Sequence, residues 1–214
     1  MVLPVQSAGR AKSRLVVPAG VDHGRLARAM ALDTLAAVRA CPLVRHRVVV
    51  TSDEVVGPAA LGAGDDVLSD VGRGLRAAVT AGVARALQLA PAGAIGVLLA
   101  DLPALTANDL SLALEAAARH GNAFVPDDEG SGTVLLTAIT GASLRPAFGL
   151  GSAARHRALG AVRLDLDLPR LRSDVDTAAG LQVAAALGLG PHTRSAVEGT
   201  HEGRVGQSCG AAAR

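Results

Sequence analysis

Apolar residues along this chain fall into short unbroken runs, separated by longer stretches with helical spacing. That alternation builds layered α/β proteins. The plainest run is Gly96-Val-Leu-Leu-Ala100, ending on Asp101-Leu-Pro103. Five small or apolar residues in a row predict a strand buried on both faces, as in the middle of a parallel sheet. The same reading predicts strands over residues 1–5, 47–51, 66–70, 94–100, 122–126, 132–139 and 161–164. Helices are predicted over 22–40, from the Gly72-Arg-Gly74 opening to 89, and over 106–121, 152–159 and 177–187. Asp22 is placed to cap the first helix, and Thr106 with Asp109 makes a capping-box-like start for the third. Leu26, Met30, Asp33 and Ala37 share a face of the first helix, so Asp33 is expected to bond neighbouring backbone there. From residue 190 onward Gly, Ser, Thr, His and charged residues follow without periodicity. The expected division is one domain over 1–190 and a disordered tail over 191–214.

Composition narrows the function classes. Half of the 214 residues are hydrophobic, yet there is no Trp or Tyr and only Phe124 and Phe148 are aromatic, so the core must be Ala, Val and Leu. No aromatic platform is available for stacking nucleic-acid bases. A net charge of +2 offers no concentrated basic face for DNA or RNA. Cys41 and Cys209 make neither a disulfide framework nor a metal spacing, which suits a reducing compartment. With no signal segment before the first strand and no apolar run of spanning length, the expectation is a cytoplasmic protein without membrane contact.

Three constellations carry candidate chemistry. The first is Asp101 at the end of the buried strand, together with Asp174 and Asp176. A strand-end carboxylate needs water, a donor or a metal, and ligands of open α/β sheets bind at the carboxyl ends of strands. In an extended Asp174-Val-Asp176, both carboxylates point the same way. Side by side they repel unless a cation intervenes, and hard oxygen donors without His favour Mg²⁺. The second is the loop after the first strand, where Lys12 and Arg14 follow Ser7 and Gly9, a pattern suited to an anion. The third is the Gly130-Ser-Gly-Thr133 turn with Gly149-Leu-Gly-Ser152, Arg155 and His156, where a hydroxyl and free N–H groups at a helix start can meet an anion. Each has an ordinary counterpart: a capping Asp, a solvated basic loop, a Ser N-cap.

Taken in order, Pro4-Val-Gln-Ser-Ala-Gly-Arg-Ala-Lys-Ser-Arg-Leu15, Ala100-Asp-Leu-Pro103, Gly130-Ser-Gly-Thr133, Phe148-Gly-Leu-Gly-Ser152 with His156, and Asp174-Val-Asp-Thr177 resemble the phosphoenolpyruvate / 2-phospho-L-lactate guanylyltransferase family. Those enzymes make the phosphodiester precursor of the deazaflavin coenzyme F-420. The resemblance covers residues 2–190 and implies a single-domain nucleotidyltransferase fold, three-layered and nucleotide-diphospho-sugar transferase-like (GT-A type), with a mixed, mainly parallel sheet. It implies one or two Mg²⁺ ions held by Asp101, Asp174 and Asp176, with GTP and phosphoenolpyruvate as small-molecule substrates. Thr133, Gly149 and Ser152, with Arg155 and His156, would form the acceptor pocket. Gln6, Lys12, Arg14, Gly74 and Arg76 would face the nucleotide, with Lys12 and Arg14 clamping the triphosphate beside Asp101 as the catalytic set. A homodimer is a candidate assembly, and the product would pass to a downstream transferase.

Two departures bear on the nucleotide. Gln6 stands where the family usually has Lys, and Leu75-Arg76 where it usually has Leu-Asn. The rival readings are another nucleotidyltransferase of this fold, such as a molybdopterin guanylyltransferase or a sugar-phosphate enzyme, and a non-catalytic nucleotide-binding regulator. The third constellation separates the first rival. Retention of all three Asp residues argues against the second.

Overall fold

In the computed structural model, which describes residues 1–7 and 22–198, the run that dominates the sequence pattern is the strand around which the sheet is laid. In chain order the elements are β1 (Val2–Pro4), α1 (His23–Ala40), β2 (Val48–Val50), α2 (Val56–Gly62), β3 (Asp66–Leu68), α3 (Leu75–Leu89) and β4 (Ile95–Leu98). There follow α4 (Ala107–Ala117), β5 (Asn122–Val125), β6 (Leu135–Ala138), α5 (Ser152–Ala158), β7 (Val162–Arg163), α6 (Pro169–Arg172), α7 (Ala178–Leu187) and α8 (Pro191–Glu198). The seven strands form one sheet in the order β3-β2-β1-β4-β6-β5-β7. β1 pairs in parallel with β2 and β4, β2 with β3, and β5 with β7, while β6 runs antiparallel between β4 and β5. The expected α/β fold with a mixed, mainly parallel sheet is the one observed.

Burial on both sheet faces follows from alternation along each strand. Leu3, Val49 and Leu98 pack toward α1, α2 and α4, together with Leu35, Val38, Ala60 and Leu110. Val2, Val48, Val50 and Val97 face the opposite layer, where Ala78 and Val79 of α3 and Ala153 of α5 lie. Small residues let α3 come close. A Cβ added at Gly82 would overlap Val2 Cγ1 and stand 2.9 Å from Val50 Cγ2. Gly82→Ala is therefore expected to destabilise the fold by about 1–3 kcal/mol, as overpacking does. Urea unfolding measures it, and an unchanged midpoint would contradict this packing.

The predicted caps are present: Asp22 accepts from Arg25 N at 2.6 Å and Thr106 from Asp109 N at 3.2 Å. Three short α-helices lie outside the sequence-based expectations: α2, α6 and α8. α8 corrects the expected tail boundary, because residues 191–198 are helical and pack on α1. Its anchor is Asp33, whose carboxylate accepts from His192 N at 3.0 Å and Thr193 N at 2.7 Å. Asp33 does bond backbone, as expected, but backbone distant in sequence. The segment 174–176 is a loop leading into α7. Among the described residues no helix is long and apolar enough to cross a membrane.

Candidate active site

The carboxyl end of β4 is a fastened corner. Leu102 N donates to Thr34 Oγ1 of α1 at 3.1 Å, and Gly190 N donates to Pro103 O at 2.8 Å. Val175 N donates to Asp101 O at 3.1 Å, which pins the 174–176 loop against that corner. Val175 is fully buried among Leu26, Met30 and Leu181, and the two Asp residues flanking it turn the other way. Asp101, Asp174 and Asp176 each bring one carboxylate oxygen within 4.8 Å of the others. Asp176 is exposed and the other two are half-buried, so the cluster opens to solvent. Three hard oxygen donors with no His or Cys among them suit a divalent cation of the magnesium type.

Beside this corner lies the exit of β1. Continuing the β1–β4 register, in which Val2 is opposite Val97, brings Gln6 level with Asp101. Gln6 and Ser7 line a cavity of about 150 Å³ closed by Asp70, Gly72, Gly74 and Leu75. Gly74 has φ 89° and nothing within 4 Å of where a Cβ would stand, and it begins α3 with no side-chain cap. Unclaimed N–H groups at such a helix start favour an anion or a base edge. Arg76 is exposed on the first turn of α3, outside the residues that line the cavity. Lys12 and Arg14 lie outside the described residues. A larger cavity of about 550 Å³ opens at the other end of the sheet, among Met1, His46, Ile95 and Ala138, away from the carboxylates.

On the other side of β4, the β4–β6 register continues through Leu99 N to Val134 O at 3.0 Å, bringing Thr133 opposite Ala100. Ser152 is buried, and Ala153 N donates to Ser131 O at 3.1 Å, joining α5 to the Gly130–Thr133 turn. Gly149 and Gly151 take φ of 111° and 70°, conformations open to glycine but strained for other residues. Arg155 ties this loop down, donating from Nε to Ala147 O at 2.9 Å and from Nη1 to Leu150 O at 2.6 Å.

His156 departs from the expected substrate contact. It is fully buried, with Nδ1 2.9 Å from Thr133 Oγ1 and Nε2 accepting from Ala147 N at 2.9 Å. The chain's two Phe residues, Phe124 and Phe148, pack against it with ring centroids 5.9 and 5.1 Å away. Burial, and secondarily the charge of Arg155, push its pKa down to about 4. The ring is therefore neutral at neutral pH. The unfolded chain takes up the proton first, near pH 6.5, so the stability contributed by the neutral ring is full above that value and is lost as pH falls toward about 4.

Several supporting residues escaped the sequence reading. Asp127 Oδ2 accepts from Gly132 N at 2.7 Å and shapes the turn before Thr133. Asp128 N donates to Arg172 O at 2.9 Å, and Arg172 Nη2 to Asp127 O at 3.1 Å, joining that turn to the segment that leads into Asp174. Asp127 could have been found as an acidic residue just before a Gly-Ser-Gly turn. Arg172 carries no local signal.

The carboxylate cluster at the end of β4 stands between the Gln6–Gly74 cavity and the Gly130–Thr133 turn, and the matches to known proteins give its class, a nucleotidyltransferase. The MobA-like NTP transferase domain matches residues 22–173. The fold aligns with a nucleotide-diphospho-sugar transferase-like protein of Desulfovibrio desulfuricans G20 at a TM-score of 0.64 and 16% identity, covering 94% of this chain and 93% of that one. The phosphoenolpyruvate guanylyltransferase of Streptomyces coelicolor is 48% identical over 198 residues, 90% of this chain and 92% of its own. The protein of the same name from Salinispora arenicola is 48% identical over 199 residues, 90% of each chain. The chain belongs to the phosphoenolpyruvate guanylyltransferase family.

Proposed function

We propose that the protein transfers GMP from GTP to phosphoenolpyruvate, giving enolpyruvoyl-2-diphospho-5'-guanosine for coenzyme F-420 biosynthesis and releasing pyrophosphate. A phosphate oxygen of the acceptor attacks the α-phosphorus of GTP. The bond to the β-phosphate breaks, and its electron pair leaves with pyrophosphate. The acceptor phosphate is largely ionised at neutral pH, with a second pKa of about 6, so no general base is required. This agrees with a site whose one buried histidine faces inward. The observation that carries the reading is the Asp101, Asp174 and Asp176 cluster, set between the Gln6–Gly74 cavity and the Thr133 turn. The relatives' names supply the two substrates.

Asp101, Asp174 and Asp176 would hold Mg²⁺, which when bound neutralises charge on the phosphate oxygens. Gly74 and Gln6 would border the nucleotide, Lys12 and Arg14 would clamp its triphosphate, and Arg76 would lie at the rim. Thr133, Gly149 and Ser152 would receive the acceptor phosphate and carboxylate, with Arg155 holding their loop in shape. Holding two anions in line contributes most of the acceleration. The decisive assay is pyrophosphate release from GTP and Mg²⁺ with phosphoenolpyruvate, 2-phospho-L-lactate and 3-phosphoglycerate compared. Strongest turnover with 3-phosphoglycerate would overturn the acceptor assignment.

Gln6 supplies a separate expectation. It lines the cavity as a neutral residue, so Gln6→Lys adds positive charge beside the triphosphate. GTP should bind more tightly, by about threefold to tenfold at low salt, with the gain shrinking as salt rises. Calorimetric titration at two ionic strengths measures this. Equal or weaker binding would mean that Gln6 acts as a hydrogen-bond donor to base or ribose.

A further inference from the structure

We propose that His156 is a positioning residue that fixes the direction of the Thr133 hydroxyl, so that its proton faces the acceptor. This rests on the reading of Thr133 as an acceptor contact and adds to it the group that sets its polarity. The argument follows the protons. A backbone N–H can only donate, so the bond from Ala147 N requires a bare Nε2. A neutral imidazole with a bare Nε2 carries its proton on Nδ1. Nδ1–H therefore donates to Thr133 Oγ1, and the hydroxyl proton is left for another oxygen. Among the described residues the Thr133 hydroxyl has no further hydrogen-bond partner.

The surroundings hold this arrangement in place. Phe124 and Phe148 pack on the ring, and complete burial keeps water from either nitrogen. Ala147 is itself held by Arg155 Nε on its carbonyl, so one chain of bonds runs from the 147–151 loop through the imidazole to Thr133. A hydroxyl that ordinarily rotates to suit its neighbours is here set as a donor. That suits an ionised phosphate or carboxylate oxygen.

The test has a spectroscopic arm and a kinetic arm. In the full-length protein labelled with ¹⁵N-histidine, the His156 signal is identified by its displacement in Thr133→Val. At neutral pH it should report a protonated Nδ1 and a bare Nε2. In the kinetic arm, His156→Phe keeps an aromatic ring between the two Phe residues and removes both bonds. It should raise the acceptor KM by about twofold to tenfold and leave the GTP KM unchanged. In the Thr133→Val background the same change should have no further effect on the acceptor KM, and Thr133→Ser should restore it. A Nε2-protonated ring, or equal losses for both substrates, overturns the inference while leaving the guanylyltransferase reading intact. An unchanged acceptor KM in Thr133→Val overturns both the inference and the acceptor-pocket assignment. If His156→Phe fails to fold, the ring-nitrogen signals of the wild-type protein still decide.

Discussion

Asp101→Asn is expected to leave the fold intact and to lower kcat by about a hundredfold or more, the scale on which loss of one group organising transition-state charge is felt. The substitution is nearly isosteric, and the backbone carbonyl that accepts from Val175 N is untouched, so the 174–176 loop should keep its place. What changes is the donor set. One of three clustered oxygens becomes a neutral amide, and the cluster loses a negative charge. Asp174→Asn and Asp176→Asn should act in the same way, and combinations should cost much less than the product of the single losses, because the three groups act on one centre. Steady-state kinetics across a Mg²⁺ titration, with circular dichroism as the folding control, measures the single losses and tests whether the three groups act on one centre. Near wild-type turnover at saturating Mg²⁺ would remove Asp101 from the chemistry. Independent, multiplicative losses would separate Asp174 and Asp176 from it.

The opposite pattern is expected of Asp33. Asp33→Ala removes the carboxylate that accepts from His192 N and Thr193 N, and so removes the anchor of α8 on α1. An unsatisfied donor at a buried helix start costs about 2–3 kcal/mol, or roughly 4–12 °C in Tm for a chain of this length. Gly190→Ala should do similar damage, because a Cβ there would overlap the Asp33 carboxyl group. Hydrogen exchange should accelerate across Pro191–Glu198, while kcat well below the Tm stays near the wild-type value. Retained protection of that helix would show that its apolar contacts, Ala196 among them, suffice without the cap.

The two expectations divide along the line between what local sequence carries and what only folding assembles. The middle of the sheet was legible because β1, β2 and β4 are unbroken apolar runs, and Asp101 was legible because a carboxylate at the end of such a run is costly without a partner. The i, i+2 spacing of Asp174 and Asp176 was enough to put them on one side of an extended segment, with Val175 buried on the other. Helices of ten or more residues announced themselves by periodicity, and α1 and α4 also by Asp22 and Thr106 at their starts.

What stayed hidden depends on partners remote in sequence. α2, with Gly57 and Pro58 in its seven residues, is too short for periodicity to register. α8 reads as a polar tail until Asp33 supplies its cap from the first helix. His156 looked like a ligand because its residue type suits ligands. Its placement behind Thr133 is decided by Phe124, Phe148 and Ala147, and no local pattern in the sequence says that these three meet the ring. The sequence by itself determined which groups carry charge and where strands end. The tertiary structure decided which of those groups meet and which way a shared proton points, because hydrogen-bond direction is set by the donors and acceptors that folding brings together.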